Sequence, residues 1–357
     1  MLMQVEKMVF CTLFDSNYLD KGLALYHSMS KQIDIFKLYI FAFDDRCYDI
    51  LKEMCLENTV ILSLEDIMTE RLRQIQSERT RAEFCWTCSP IIIEYVLQKK
   101  KEKVCTYIDA DIYFFSNPEE IIQEIADSNC SVGLVEHRFE RNYEYGKHVF
   151  RVGKYCIQFN TFFNDCSGMQ VLTDWKKRCL EWCYYRCEDG KLGDQKYPDK
   201  WRRKFTCIHE AKALGAGVAP WNLHLYSYKE RKDSEIWMES NGRKFRLIFY
   251  HFEGMKYLSD GRVFLNLWNP CAPGMRKKIE LFYGEYLSVI SSVRKFLANE
   301  HSITFEQMLM DRDTFLKGKY TLKNFYDKNG LLDGIEKWAG FWLRNIVSSD
   351  KRWMRKG

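Results

Sequence analysis

Between residues 8 and 162 short apolar runs alternate with segments of helical spacing, and three of the runs stop at an aspartate. The run Met8–Phe14 ends at Asp15, residues 37–43 end at Asp44 and Asp45, and residues 103–108 end at Asp109. Between them, residues 21–31 carry Leu23, Leu25, Tyr26 and Met29 at helical spacing, and residues 48–56 read the same way. Residues 59–64 predict a third strand. Residues 65–80 predict a polar helix, and 90–99 a helix with Pro90 near its start. Residues 116–120 (SNPEE) have the capping side chains, proline and early acids of a helix N-terminus. Further strands are expected at 112–115, 132–135 and 155–162, and a long helix at 168–187. Residues 215–225 and 245–252 read as strand or loop, and the pattern turns helical from about residue 275. Such alternation predicts an α/β fold with a largely parallel sheet covered on both faces. Ligands of such sheets bind at the carboxyl ends of the strands, where Asp15, Asp44, Asp45, Asp109 and Asp111 would gather.

Composition narrows the function classes. A net charge of +5 over 357 residues is too mild to imply nucleic-acid binding. No apolar stretch has the length of a membrane span, and the N-terminal run reads as a strand and not as a signal peptide. The 14 cysteines therefore predict a reduced, cytoplasmic chain with cysteines mainly in its core. Cys85 and Cys88 form a CxxC without a second half. Cys179, Cys183 and Cys187 read as one helical stripe. His209-Glu210 lacks the second histidine of a zinc motif, since Ala213 stands in its place. The stretch 215–220 (GAGVAP) mimics a dinucleotide loop but ends in proline.

The chemistry centres on Asp109-Ala110-Asp111. Two carboxylates two residues apart at a strand end can share one divalent cation, and oxygen donors suit Mn²⁺ or Mg²⁺. Such a cation neutralises charge on a leaving diphosphate.

Residues 12–25 (TLFDSNYLDKGLAL), the DxD, Asn160-Thr161, Asp194-Gln195 and the segment 251–256 (HFEGMK) follow one another in the order of a known family. Together they resemble the retaining GT-A-type glycosyltransferases, in the family-8-like group that includes glycogenin and the bacterial galactosyltransferases of surface polysaccharide assembly. The resemblance spans residues 8–260. It implies a GT-A fold, a Rossmann-like mixed sheet flanked by helices, with residues 1–270 as the catalytic domain and 271–357 as a helical C-terminal region. It also implies that Thr12, Phe14, Asp15 and Tyr18 hold the nucleotide base, with Arg81 near a phosphate. By the same resemblance Asp109, Asp111 and His251 bind the metal. Ala110, Asn160, Gly254 and Lys256 would contact the donor, and Asp194, Gln195 and Lys256 would serve catalysis. Phe162 replaces the small third residue of the family's Asn-Ser-Gly turn, and Tyr257-Leu258 replaces its Pro-Trp.

The activity so implied is transfer of a sugar from a UDP-sugar to a glycan or lipid-linked glycan acceptor. Retention by front-face attack is implied because Gln195 is a poor nucleophile. Three other readings remain open. They are an inverting transferase with Asp165 or Glu253 as base, a non-catalytic nucleotide-sugar binder, and a structural metal protein. Residues 337–357 carry six Lys or Arg and one acid, with Trp338, Phe341, Trp342 and Ile346 on one helical face. That face would dock on the catalytic domain or lie peripherally on the inner membrane surface.

Overall fold

The computed structural model describes residues 7–311 except 260, 262, 270 and 271. They divide into two compact units. The first takes the described part of Met1–Val218 together with Arg231–Ile236 and Phe245–His251. The second takes Ala219–Glu230, Trp237–Lys244 and the described residues from Phe252 onward.

The chain opens β1 (Met8–Phe14), α1 (Leu19–Gln32), β2 (Phe36–Ala42), α2 (Asp45–Glu53), β3 (Thr59–Ser63), α3 (Glu70–Glu78) and α4 (Arg81–Gln98). It continues β4 (Val104–Ile108), β5 (Ile112–Phe114), α5 (Glu119–Asp127), β6 (Val132–Glu136), α6 (Tyr145–Val152), β7 (Tyr155–Phe163) and α7 (Cys166–Glu181). Then come α8 (Trp201–Lys204), β8 (Ile208–Glu210), β9 (Ser227–Lys232), β10 (Glu235–Ser240), β11 (Arg243–Arg246) and β12 (Phe249–His251). The last elements are β13 (Lys256–Tyr257), β14 (Val263–Phe264) and α9 (Met275–His301).

Seven strands form one sheet in the order β3-β2-β1-β4-β7-β6-β8. The half from β3 to β4 is parallel. β7 runs antiparallel to both β4 and β6, and β8 is parallel to β6. Every residue of β1 is buried, as expected of a central strand covered on both faces. On one face α4 and α7 pack through Ile92, Val96, Leu172 and Trp175 against Tyr39, Phe41 and Phe162. Trp175 stacks on Phe162 at 5.9 Å and meets Trp201 edge-on at 5.5 Å. On the other face Phe10, Phe114, Phe159 and Phe249 contact one another with centroids 5.3–6.4 Å apart. Phe114 belongs to β5 and Phe249 to β12, which pair antiparallel with each other. Each such aromatic contact adds about 0.5–1.5 kcal/mol beyond its area burial.

Several boundaries differ from the sequence expectation. α4 begins at Arg81, not near residue 90, because Thr80 and Glu83 form a reciprocal capping box and Pro90 sits inside the helix. α7 stops at Glu181, so Cys179, Cys183 and Cys187 are not one helical stripe; Cys187 is exposed. The helix α6 and the strand β8 were not foreseen. No disulfide forms among the described cysteines.

In the second unit Phe252 stacks on Tyr286 of α9 at 3.7 Å and meets Tyr283 edge-on at 5.0 Å. Lys278 of α9 donates from Nζ to the carbonyl oxygens of Leu223 and Tyr226. The segment 337–357 lies outside the described residues.

Candidate metal centre and donor site

The turn 109–111 joins β4 to β5, and two backbone bonds hold it. Asp109 N–H donates to Gln158 O at 3.1 Å, and Ile112 N–H donates to Asp109 O at 3.2 Å. His251 reaches this turn through strand pairing, since β12 sets His251 opposite Ile112 and next to Asp111. His251 Nε2 lies 3.0 Å from Asp111 Oδ1 and 3.6 Å from Asp109 Oδ2. One ligand atom from each of the three side chains lies within 4.8 Å of the others, and among the described residues this is the group that can hold a metal ion. Two carboxylate oxygens and one imidazole nitrogen fit a divalent cation such as Mn²⁺ or Mg²⁺.

The cluster's electrostatics follow from burial and proximity. Burial pushes the Asp111 carboxyl up, but the charge and hydrogen bond of His251 outweigh it and hold the group below the usual carboxylate range. Burial pushes the His251 imidazole down, and Asp111 lifts it well above its ordinary value. Tyr107, two residues before Asp109 on β4, donates its hydroxyl to Asp109 Oδ1 at 2.9 Å. It holds the Asp109 carboxylate from behind, as outer partners of metal sites hold theirs.

Asp194 is buried in the turn after Gly193, and Trp175 Nε1–H donates to its carbonyl at 3.1 Å. Burial first, then the charge of Asp109, push its carboxyl up to about 8. Such a shift favours the protonated acid at neutral pH. Gln195 beside it is half-buried. Asn160 on β7 is fully buried opposite Tyr107.

At the neighbouring strand ends the acids are already engaged. Asp15 caps the turn after β1 by accepting from Asn17 N–H and Tyr18 N–H, and its other oxygen pairs with Arg81. Arg81 also reaches Asp44 Oδ2 at 3.0 Å. Asp44 in turn accepts from the Ser16 N–H and hydroxyl and from Cys47 N–H. Phe14 is buried, and its ring fills the space over Gly22 of α1, where a Cβ would stand 2.3 Å from Phe14 Cζ. Its carbonyl accepts from Phe43 N–H. Thr12 is fully buried in β1, and Ala110 is buried in the metal turn. Tyr18 is half-buried, with Lys21 Nζ 3.7 Å from its ring centroid.

Gly254 and Lys256 belong to the second unit. Gly254 adopts φ +70°, and a Cβ there would stand 2.2 Å from Asn266 Nδ2. Asn266 donates to the carbonyl and carboxylate of Glu253, and Lys256 pairs with Phe264. Asp165, a candidate base for inversion, caps α7 by accepting from Gly168 N–H at 2.8 Å.

Three residues near the cluster escaped sequence reasoning. Lys21, buried at the start of α1, also helps hold the Asp111 carboxyl down. Tyr107 supports Asp109. Gln158 gives its carbonyl to Asp109 N–H and buries its carboxamide. Gln158 carries a visible signal, a polar side chain inside a mostly apolar strand.

With TM-score 0.50 at 10% identity, the chain aligns with an active-site mutant of LgtC over 80% of its own length and 96% of that protein. LgtC is described as a galactosyltransferase. The chain has the GT-A glycosyltransferase fold. No protein-family model matches it. Two uncharacterized proteins of Bacillus subtilis strain 168 resemble it in sequence. YfnD is 27% identical over 254 residues, covering 70% of this chain and 79% of YfnD. YfnF is 29% identical over 258 residues, covering 70% of this chain and 82% of YfnF. No helix among the described residues is long and apolar enough to cross a membrane.

Proposed function

We propose that this chain is a metal-dependent hexosyltransferase that moves a sugar from a UDP-sugar to a hydroxyl of a glycan or lipid-linked glycan, with retention at the anomeric carbon. The observation that carries the reading is the Asp109–Asp111–His251 cluster at the carboxyl end of β4, within a GT-A fold. A divalent cation bound there supplies positive charge to the donor diphosphate.

The protein's own groups suit the rest of the reaction. Tyr107 keeps Asp109 turned toward the cluster, and Lys21 adds positive charge on the same side. Asp194, protonated at neutral pH, is a weak nucleophile and a strong hydrogen-bond donor toward a sugar hydroxyl. That favours front-face transfer over a covalent intermediate. The bond from the anomeric carbon to the diphosphate oxygen breaks while the acceptor oxygen bonds to that carbon. The acceptor proton passes to the departing diphosphate oxygen.

The test is UDP-sugar hydrolysis and transfer with and without Mn²⁺, on the wild type and Asp111→Asn. Metal-dependent turnover of a UDP-sugar, lost in the variant, supports the reading. Absence of metal-dependent binding to any nucleoside diphosphate refutes it, and an inverted product anomer refutes retention.

A further inference from the structure

One aromatic pair in the first unit stands beside Asp194 and opens to solvent. Trp86 lies in the second turn of α4 and Tyr185 in the loop after α7, with ring centroids 5.6 Å apart. Trp86 is half-buried, whereas Tyr185 is 74% exposed. The loop that carries Tyr185 is braced. Tyr185 N–H donates to Glu83 Oε1 at 2.7 Å, while the other oxygen of Glu83 caps the start of α4. Gly193 N–H donates to Tyr184 O at 3.0 Å, and Glu188 and Lys191 exchange backbone hydrogen bonds of 2.8 and 3.1 Å. The Tyr185 ring is therefore displayed from a fixed backbone, and an aromatic ring held in water without cover is available to a ligand.

Trp86 ties this pair to the candidate site. Its indole lies against the bare backbone of Gly193, where a Cβ would stand 3.2 Å from Trp86 Cε3. The next residue is Asp194. One turn further along α4, on the same helix face, the Ser89 hydroxyl lies beside the Asp194 carboxyl and the Tyr107 hydroxyl. Toward the start of the helix, Arg81 pairs with Asp15 and Asp44 at the strand ends. Thus α4 carries in succession a cation at the strand ends, an indole, and a hydroxyl beside Asp194.

The chemistry of the pair sorts its ligands. A diphosphate seeks the cation at the metal cluster, not two ring faces. A pyranose ring presents C–H groups on its face and hydroxyls around its rim, so it can lie on an aromatic ring with its hydroxyls still in water. The donor sugar is to be met by buried groups, Asp194 and Asn160. An acceptor has to arrive from solvent with the rest of its glycan outside, which suits the exposed ring of Tyr185. We infer that Trp86 and Tyr185 form the platform on which the terminal pyranose ring of the acceptor lies, its reacting hydroxyl turned toward Asp194. This rests on the donor reading proposed above.

The experiment follows transfer, with Mn²⁺, from the UDP-sugar that the wild type turns over to the methyl glycosides of glucose, galactose and N-acetylglucosamine. The readout is KM for the glycoside divided by KM for the UDP-sugar. It compares wild type with Tyr185→Ala and Tyr185→Gln, which lose the ring, and with Tyr185→Phe, which keeps it. Thermal melting establishes that each variant is folded, and either ringless variant carries the test alone. The expected result is a rise of about five-fold in this quotient without the ring, the order expected for one lost aromatic contact, and a wild-type quotient in Tyr185→Phe. An unmoved quotient in a folded ringless variant overturns the inference and leaves the donor reading standing. A fall in the quotient marks the ring as a donor contact and overturns it too. A rise in Tyr185→Phe equal to that in Tyr185→Ala assigns the effect to the hydroxyl and overturns the platform. A wild type that hydrolyses the UDP-sugar but transfers to none of the glycosides also overturns it. A wild type that binds no UDP with Mn²⁺ overturns both readings.

Discussion

His251 Nε2 lies 3.0 Å from Asp111 Oδ1 although 140 residues separate them. The antiparallel pairing of β5 with β12 makes this contact, and the stacked rings of Phe159 and Phe249 support it from below. Asp111→Asn removes one of three ligands and the charge that holds His251 protonated. Mn²⁺ affinity should fall at least about 100-fold, more than is lost when a supporting partner alone is removed. Calorimetric titration of both proteins with MnCl₂ checks this, and comparable affinities would exclude the cluster as the metal site.

Gly215 makes His251 sensitive to a distant methyl group. A Cβ on Gly215 would stand 1.9 Å from the Arg246 carbonyl oxygen. The Gly215 carbonyl also accepts from Ile248 N–H and Phe249 N–H, the start of β12. Gly215→Ala should destabilise the protein by about 3 kcal/mol, since backbone cannot give way as a side chain does. Urea unfolding measures the loss, and Mn²⁺ affinity should fall with it because β12 carries His251.

Asp194 gives stability a pH dependence of defined sign. Its folded value of about 8 lies above the usual carboxylate value of about 4. Between these values the folded protein holds a proton that the unfolded chain has released. Stability contributed by this group is therefore present at acid pH and falls as pH rises, by about 1.4 kcal/mol per unit, until pH 8. In EDTA the difference in unfolding free energy between wild type and Asp194→Asn should follow that slope between pH 5 and pH 8. A flat difference would show that Asp194 is ionised throughout.

Arg81 clasps Asp15 and Asp44 at the edge where the nucleotide is proposed to lie. Its side chain is half exposed, so Arg81→Gln should change stability by less than about 1 kcal/mol. Affinity for UDP should fall about ten-fold, as expected for loss of a charged hydrogen bond, while uridine binds unchanged. Equal affinities for UDP would confine Arg81 to holding the two acids.

Much of the sheet was legible in the sequence because buried strands announce themselves as apolar runs, and β1, β2, β3 and β4 fall within a residue or so of their expected bounds. The DxD was legible for the same reason, since a strand that stops at an aspartate delivers it to the sheet edge. α4 was misread because Pro90 resembles a helix start, while the operative signal was the pair Thr80 and Glu83, ten and seven residues earlier. By resemblance Phe14 offers an aromatic or backbone contact to the base; its ring packs over Gly22.

By itself the sequence determined the order of elements, the acids at the strand ends and the resemblance that grouped them, because these depend on local spacing. Only the tertiary structure decided which groups meet. Strand register carried His251 to Asp111, and burial with the Asp109 charge pushed the Asp194 carboxyl upward. Burial left the side chains of Gln158 and Asn160 without hydrogen-bond partners among the described residues. Those outcomes depend on neighbours far away in the chain, and no local pattern encodes them.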